Sequence, residues 1–127
     1  MASTSERDLV ESWRRLAAEH AAVVDSLERE LQKRHGLTVS EFEVLQRLAE
    51  APKEHSRMQE LADSVHLSQS ALSRLVGRLE ADGLVSRTLC DADRRGIYAC
   101  LTADGRALVE EAGPTHAEVL SATLPRR

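Results

Sequence analysis

The chain has 127 residues, 42% of them hydrophobic and only 2% aromatic, which is enough for one compact domain with an aliphatic core. A single Trp, Tyr and Phe cannot provide a platform for stacking bases, which argues against a binder of single-stranded nucleic acid. The formal net charge of -4 is unusual for a nucleic-acid binder, but arginines and carboxylates balance between residues 57 and 96.

Several function classes lack support in the sequence. Two cysteines are too few for a disulfide framework, and we find neither a leader peptide nor an apolar run of membrane-spanning length, so we expect a cytoplasmic protein without membrane association. The five histidines are scattered without a partner four residues on, so we expect no metal site and no cofactor. No catalytic motif is visible, and we expect no enzyme.

The first predicted helix covers residues 5–34, which contain no Gly or Pro, and Gly36 fits a left-handed C-cap after it. Its seam follows alternating spacings of four and three through Leu9, Trp13, Leu16, His20, Val23, Leu27 and Leu31. A small domain does not need so long a helix internally. We therefore expect part of the seam to pack on a second subunit.

Two shorter helices follow. The S-x-x-E pattern from Ser40 to Glu43 predicts a capping box and a helix that ends at Pro52 and buries Phe42, Leu45 and Leu48. A similar pattern from Ser56 to Gln59 predicts a third helix that buries Met58, Leu61, Ala62 and Val65.

The next segment predicts a helix-turn-helix with a hairpin behind it. Ser68 can cap a fourth helix, which Gly83 ends and whose apolar stripe is Leu72, Leu75, Val76 and Leu79. Strand-like runs at 84–89 and 97–102 flank a polar tip with two arginines, the "wing". Folding about the tip would pair Cys90 with Ile97 and leave Cys100 on the opposite face, which disfavours a disulfide.

A last helix is predicted from Thr102, and Gly113-Pro114 should kink or break it before Val119 and Leu120. The elements together predict a mainly α-helical fold with a small β-hairpin wing, a winged helix-turn-helix.

Three strings carry a resemblance to a known family. SQSALSRLVGRLE at 68–80, ADGLVSR at 81–87 and DADRRGIYACLTADG at 91–105 closely resemble the MarR family of bacterial transcriptional regulators. GLTVSEFEVLQRL at 36–48 is similar too, and the wing pattern D-x-D-R-R-G with the following L-T-x-x-G is the most specific part.

This resemblance implies one domain over residues 1–127, with dimerisation helices at 5–35 and 102–124 around a DNA-binding lobe at 40–101. It implies a homodimer on a pseudo-palindromic operator, which we expect to act as a ligand-relieved repressor. The effector would be a small anionic or phenolic molecule, for which Trp13 and His20 are candidates, although packing in the dimer core is the stronger reading of both. Family members usually continue into a further dimerisation helix, which we do not find here.

The recognition helix should lie in the major groove with its N-terminal residues at the base edges. Its reading surface is Ser68, Gln69, Ser70, Ser73 and Arg74. Gln69 would suit adenine and Arg74 guanine in bidentate contacts, while Arg78 would clamp a phosphate. The competing reading is a merely solvated helix face. Arg57, at the start of the third helix, is equally a phosphate contact or plain surface.

At the wing, an arginine on the hairpin tip can enter the narrow minor groove. The resemblance assigns this role to Arg95, Asp93 could hold its guanidinium in a charge-assisted pair, and Arg94 would face the flanking phosphates. An ordinary charged turn is the alternative.

For the whole chain, the alternative class is an interaction module that binds DNA weakly and pairs with a protein partner or a full-length relative. A metal or thiol sensor in the same fold is a further alternative.

Overall fold

The computed structural model describes residues 5–90 and 93–126. In this part of the chain, helices and strands follow one another as α1 Glu6–His35, α2 Val39–Glu50, β1 His55–Arg57, α3 Met58–Ser64, α4 Gln69–Ala81, β2 Val85–Cys90, β3 Asp93–Leu101 and α5 Ala103–Thr123. A 3₁₀ turn, Pro52–Glu54, precedes β1. The predicted fold class, mainly helical with a small hairpin, is confirmed. Within the described ranges, no helix is long and apolar enough to cross a membrane.

The strands form one antiparallel sheet in the order β1-β3-β2. The predicted hairpin of β2 and β3 is confirmed, but its register is shifted by one residue, because Leu89 and not Cys90 pairs with Ile97. Cys100 pairs with Ser86, and Cys90 pairs with Asp93 beyond an irregularity in the ladder. Four residues of strand, about 13 Å, therefore separate the two cysteine positions, which is too far for a disulfide. Cys100 is a free thiol.

α1 begins and ends as its sequence indicates. The Ser5 hydroxyl accepts a hydrogen bond from the Asp8 N–H at 3.1 Å, and Gly36 adopts φ 69° as the left-handed cap. Only the second half of the helix contributes to the buried core, through Val23, Leu27 and Leu31. The first half, including Leu9, Trp13 and Leu16, remains exposed.

The predicted start of α2 is wrong. The capping box uses Thr38 and Glu41, whose side chains accept from each other's backbone N–H groups at 3.1 and 2.9 Å. Leu37 and Phe42, at the positions that a hydrophobic staple uses, are both buried, and this packing fixes the helix start two residues before Ser40. The predicted burial of Phe42, Leu45 and Leu48 is confirmed.

The predicted start of α3 is also wrong. Ser56 lies in β1 opposite Ala99, so its backbone belongs to the sheet, and the helix begins at Met58 without a side-chain cap. Pairing with β3 therefore overrides the local capping pattern. Leu61 and Ala62 are buried as predicted, whereas Met58 and Val65 are half-buried.

α4 agrees with the prediction in its cap and in its buried stripe of Leu72, Leu75, Val76 and Leu79. It ends at Ala81, and Gly83 follows with φ 75°. The break that Gly113-Pro114 could cause in α5 does not occur, because the helix continues through Pro114. A proline leaves the carbonyl four residues earlier without its helical partner, here that of Glu110, an exposed residue where water can compensate. Burial of Ala112 and Thr115 on either side of the proline holds the helix together.

The C-terminal end of α1 and the first turns of α2 pack against α5, where each contact involves one histidine. The His35 Nε2 lies 2.8 Å from the Thr115 Oγ1, and the His116 ring stacks on Phe42 with 4.6 Å between the ring centroids. Burial lowers the pKa of His116 below the ordinary 6.5, and the nearby Glu43 carboxylate only partly opposes this.

The folded chain should therefore lose stability in mild acid. Because the unfolded state binds the His116 proton more readily, the stabilisation is fully present above pH 6.5 and is lost as the pH falls through the lowered folded pKa. We expect the urea midpoint to fall less between about pH 7.5 and pH 5.5 in His116→Phe, which keeps the stack on Phe42, than in the wild type. Equal pH dependence of the two proteins would contradict the assignment.

Candidate nucleic-acid interface

α4 presents a polar face to solvent because its leucines and its valine are buried in the core. Ser70, Arg74 and Arg78 are spaced by four residues and are exposed, as are Ser68 and Gln69 at the helix start. The Ser68 hydroxyl accepts from the Ala71 N–H at 3.1 Å and lies 3.3 Å from the Ser70 hydroxyl. The N-terminal turn therefore begins in a fixed position with its polar side chains outward.

Ser73 differs from its neighbours on this helix. It is half-buried, and its hydroxyl and its carbonyl both accept hydrogen bonds from Arg87 of β2, at 3.2 and 2.6 Å. Its hydroxyl thus has a partner within the protein, unlike a group held only for a base edge. The Arg87 Nε also lies 2.7 Å from the Glu80 carboxylate.

Arg57 lies at the boundary of β1 and α3, where it packs against the wing. Its Nε donates to the Tyr98 hydroxyl at 3.2 Å, and its guanidinium carbon lies 5.9 Å from the centre of the Tyr98 ring. This distance is within the range of a cation–π interaction. The structure therefore shows an arginine supported by β3 beside the start of α4.

A cleft separates the reading face of α4 from the wing. Its volume is about 550 Å³, and its lining comes from β1, α3, α4 and the two wing strands through Arg57, Met58, Gln59, Gln69, Leu72, Ser73, Arg87, Gly96 and Ile97. Of the predicted contact residues, Arg57, Gln69 and Ser73 therefore line the same cleft. The side chains of Asp93, Arg94 and Arg95 lie outside the described residues.

The two effector candidates lie elsewhere. Trp13 is 65% exposed and His20 is exposed, both on the first half of α1. Among the described residues, no group of three or more His, Cys, Asp or Glu is placed to hold a metal ion.

Sequence reasoning did not select Arg87 or Tyr98 as residues of this interface. Each has its partners on another element, Ser73 and Glu80 for Arg87 and Arg57 for Tyr98. No spacing along the chain could have indicated these contacts, although the S-R at 86–87 belongs to the strings that carry the resemblance.

A helix pair that leads into α4, followed by a hairpin beside it, defines a winged helix-turn-helix protein. Comparison with known proteins agrees. The sequence profile of the MarR family matches residues 35–96. The DNA complex of Sco3205, a MarR family transcriptional regulator from Streptomyces coelicolor, is similar with a TM-score of 0.86 and 31% identity over 97% of this chain and 76% of that one. The chain belongs to the MarR family.

Two further relatives are informative. The homoprotocatechuate degradative operon repressor of Escherichia coli is 35% identical over 97 residues, which are 76% of this chain and 63% of the relative. The present chain thus matches less than two thirds of that repressor's length. Bordetella bronchiseptica BpsR, whose DNA binding is described as regulated by 6-hydroxynicotinic acid, is similar with a TM-score of 0.78 and 26% identity, over 87% of this chain and 76% of that one. These relatives are transcriptional regulators and not enzymes.

Proposed function

We propose that the protein is a homodimeric transcriptional regulator that binds double-stranded DNA in a sequence-specific manner. The observation that carries the proposal is the exposed row of Ser70, Arg74 and Arg78 on α4, opposite the buried stripe of the same helix and beside the wing. In this proposal residues 1–127 form one domain, with a DNA-binding lobe at 40–101 between dimerisation helices at 5–35 and 102–124.

The reading face assigns a role to each side chain. Gln69 and Arg74 lie near the helix start, where major-groove docking brings side chains to base edges, and they suit adenine and guanine respectively. Ser68 and Ser70 contact phosphate or base, and Arg78 contacts phosphate one turn later.

The flanks of the reading face complete the contact. On one side Arg57, whose side chain donates to Tyr98, contacts the phosphate backbone of the DNA, and Ser73 lines the cleft. On the other, Arg95 enters the minor groove with Asp93 supporting it and Arg94 on the phosphates, a proposal that rests on the wing backbone and on family membership.

The exposed apolar residues of α1 support the dimer. Leu9, Trp13 and Leu16 form an apolar face that remains largely exposed in the described part of the protomer, with 58, 65 and 54% of each residue exposed. A second copy would bury this face and place two recognition helices on half-sites about one helical turn apart.

Regulation by a small molecule is the finer part of the proposal. One relative is a repressor of a degradative operon, and another is regulated by an aromatic acid. We infer a cytoplasmic repressor that a small anionic or phenolic molecule releases from DNA, with Trp13 and His20 near the effector or in the dimer core. The ligand would act by binding more tightly to the conformation of the protein that does not fit the operator.

The test is selection of duplexes from a random-sequence pool, followed by titration of the selected duplex at several salt concentrations. A regulator should enrich a pseudo-palindrome and lose affinity steeply with salt, because phosphate contacts release counterions. A monomer that enriches nothing would contradict the proposal. That outcome would favour the interaction module, which the net charge of -4 and the exposed face of α1 also fit.

Alanine variants of the reading face give the corresponding prediction. Gln69→Ala and Arg74→Ala should each cost about 1–3 kcal/mol on the selected duplex and relax base preference at one position. Arg78→Ala should weaken all sequences equally and reduce the salt slope by about 1, and Arg95→Ala should weaken binding broadly. Arg47→Ala, which removes an arginine of α2 paired with Glu43, is the control. Unchanged affinities for all four interface variants would exclude this face.

A further inference from the structure

The Arg87 guanidinium connects the wing to the recognition helix. Its two Nη atoms donate to the hydroxyl and the carbonyl of Ser73, and its Nε faces the Glu80 carboxylate at 2.7 Å. Ser73 and Glu80 lie two turns apart on α4, so a single side chain from β2 holds the helix at two levels. We name Arg87, Ser73 and Glu80 together the Arg87 clamp.

The surroundings of the clamp suit the forked guanidinium of an arginine better than the ammonium of a lysine. The Arg87 side chain is only 28% exposed, and its two Nη atoms donate to two acceptors of Ser73 at once, whereas the single ammonium of a lysine lacks this fork geometry. Gly77 adjoins the guanidinium, since a Cβ added there would lie 3.4 Å from the Arg87 Nη2 and meet no other group.

The clamp lies where it can set the spacing between the two DNA-contacting elements. Arg87 pairs in the sheet with the buried Ala99 of β3, so the strand that leads back from the wing tip is fixed to the same point. The cleft between α4 and the wing has Ser73 and Arg87 in its lining.

We propose that Arg87 is a positioning residue, which holds the wing at a fixed distance from the reading face of α4 so that both fit one duplex. The inference rests on the proposed DNA-binding function. It differs from a phosphate contact, because both Nη atoms donate to Ser73 and the Nε lies in an ion pair with Glu80.

Amide hydrogen exchange of the protein without DNA tests the positioning directly. Arg87→Ala should speed exchange in β2 and β3 by about tenfold or more, because it removes the hydrogen bonds of a charged group that closes this unit, and should leave α1 and α2 unchanged. The control Arg47→Ala, which breaks an ion pair inside one helix, should not affect the hairpin. Unchanged exchange in the hairpin of Arg87→Ala would overturn the proposal.

Affinity for the selected duplex provides a second test, because the clamp and simple electrostatics predict changes in opposite directions. Glu80→Gln removes a negative charge from the DNA-binding lobe, so electrostatics alone would strengthen binding. Loss of the clamp predicts the opposite, a severalfold weakening, and Arg87→Lys should also weaken binding although it keeps the charge. Tighter or equal binding by Glu80→Gln, or full affinity of Arg87→Lys, would overturn the proposal.

The two experiments separate the clamp from the function it rests on. If the wild type selected no duplex, the proposed function would fail, while hydrogen exchange would still decide whether Arg87 holds the wing. If the wild type bound DNA and the clamp variants behaved like the wild type, only the positioning role would fail.

Discussion

Replacing Gly105 with alanine is expected to lower the free energy of unfolding by about 3 kcal/mol, the upper end of the usual cost of overpacking. Gly105 is buried in the first turn of α5, where an added Cβ would lie 2.2 Å from the Leu84 carbonyl oxygen and 2.6 Å from a methyl group of Leu101. A backbone oxygen cannot yield as a flexible side chain does. The energetic cost of the clash should therefore exceed the gain of about 1 kcal/mol in helix stability that alanine has over glycine.

Gly77→Ala is the matched control, because Gly77 also lies inside a helix. There the added methyl group would meet only the end of the Arg87 side chain, at 3.4 Å, so the variant should be neutral or slightly more stable. Urea unfolding of both variants and the wild type measures the difference. Equal stability of Gly105→Ala and Gly77→Ala would show that the start of α5 can move away from Leu84.

Close contact at Gly105 also explains part of the motif that first marked the family. In L-T-x-x-G, Thr102 caps α5 by accepting from the Gly105 N–H at 3.0 Å and donates to the Gly83 carbonyl at 2.8 Å. The motif thus fastens the last helix to the turn between α4 and the wing. The sequence predicted the helix start at Thr102, whereas the need for glycine depends on Leu84, which is distant along the chain.

Helix starts illustrate what local patterns can and cannot decide. T-x-x-E at Thr38 and S-x-x-E at Ser40 offer the same capping chemistry two residues apart, and only the burial of Leu37 and Phe42 selects the first. A capping pattern is again present at Ser56, but there the backbone of Ser56 pairs with β3 as part of the sheet and cannot begin a helix. Buried stripes were predicted well because the helical period repeats over many residues.

The candidate site shows the same division. Exposure of Gln69, Arg74 and Arg78 follows from the apolar stripe of α4, so the sequence could predict the reading face. The partners of Ser73 and Arg57 come from the wing strands. These contacts could not be predicted because they depend on how α4 packs against the sheet.

Leu16→Glu is expected to convert the proposed dimer to a monomer at micromolar concentration. Leu16 is 54% exposed within the protomer, so the change should leave the fold intact, as circular dichroism can verify. In a dimer it would place an unpaired carboxylate in an apolar interface, at a cost of several kcal/mol. Affinity for the selected duplex should fall by about 100-fold or more, because a monomer loses the gain from binding two half-sites together.

Ala18→Glu adds the same charge to the same half of α1 but on the other side of the helix. Two residues turn an α-helix through about 200°, so position 18 faces away from the seam of Leu9, Trp13 and Leu16. Ala18 is exposed, and its substitution should preserve both the dimer mass in light scattering and the affinity for DNA. A pair of variants that both remain dimeric would place the dimer contact on a different face. If both became monomeric, a general effect of acidic charge on α1 would be responsible, so only the split outcome supports the seam as the dimer interface.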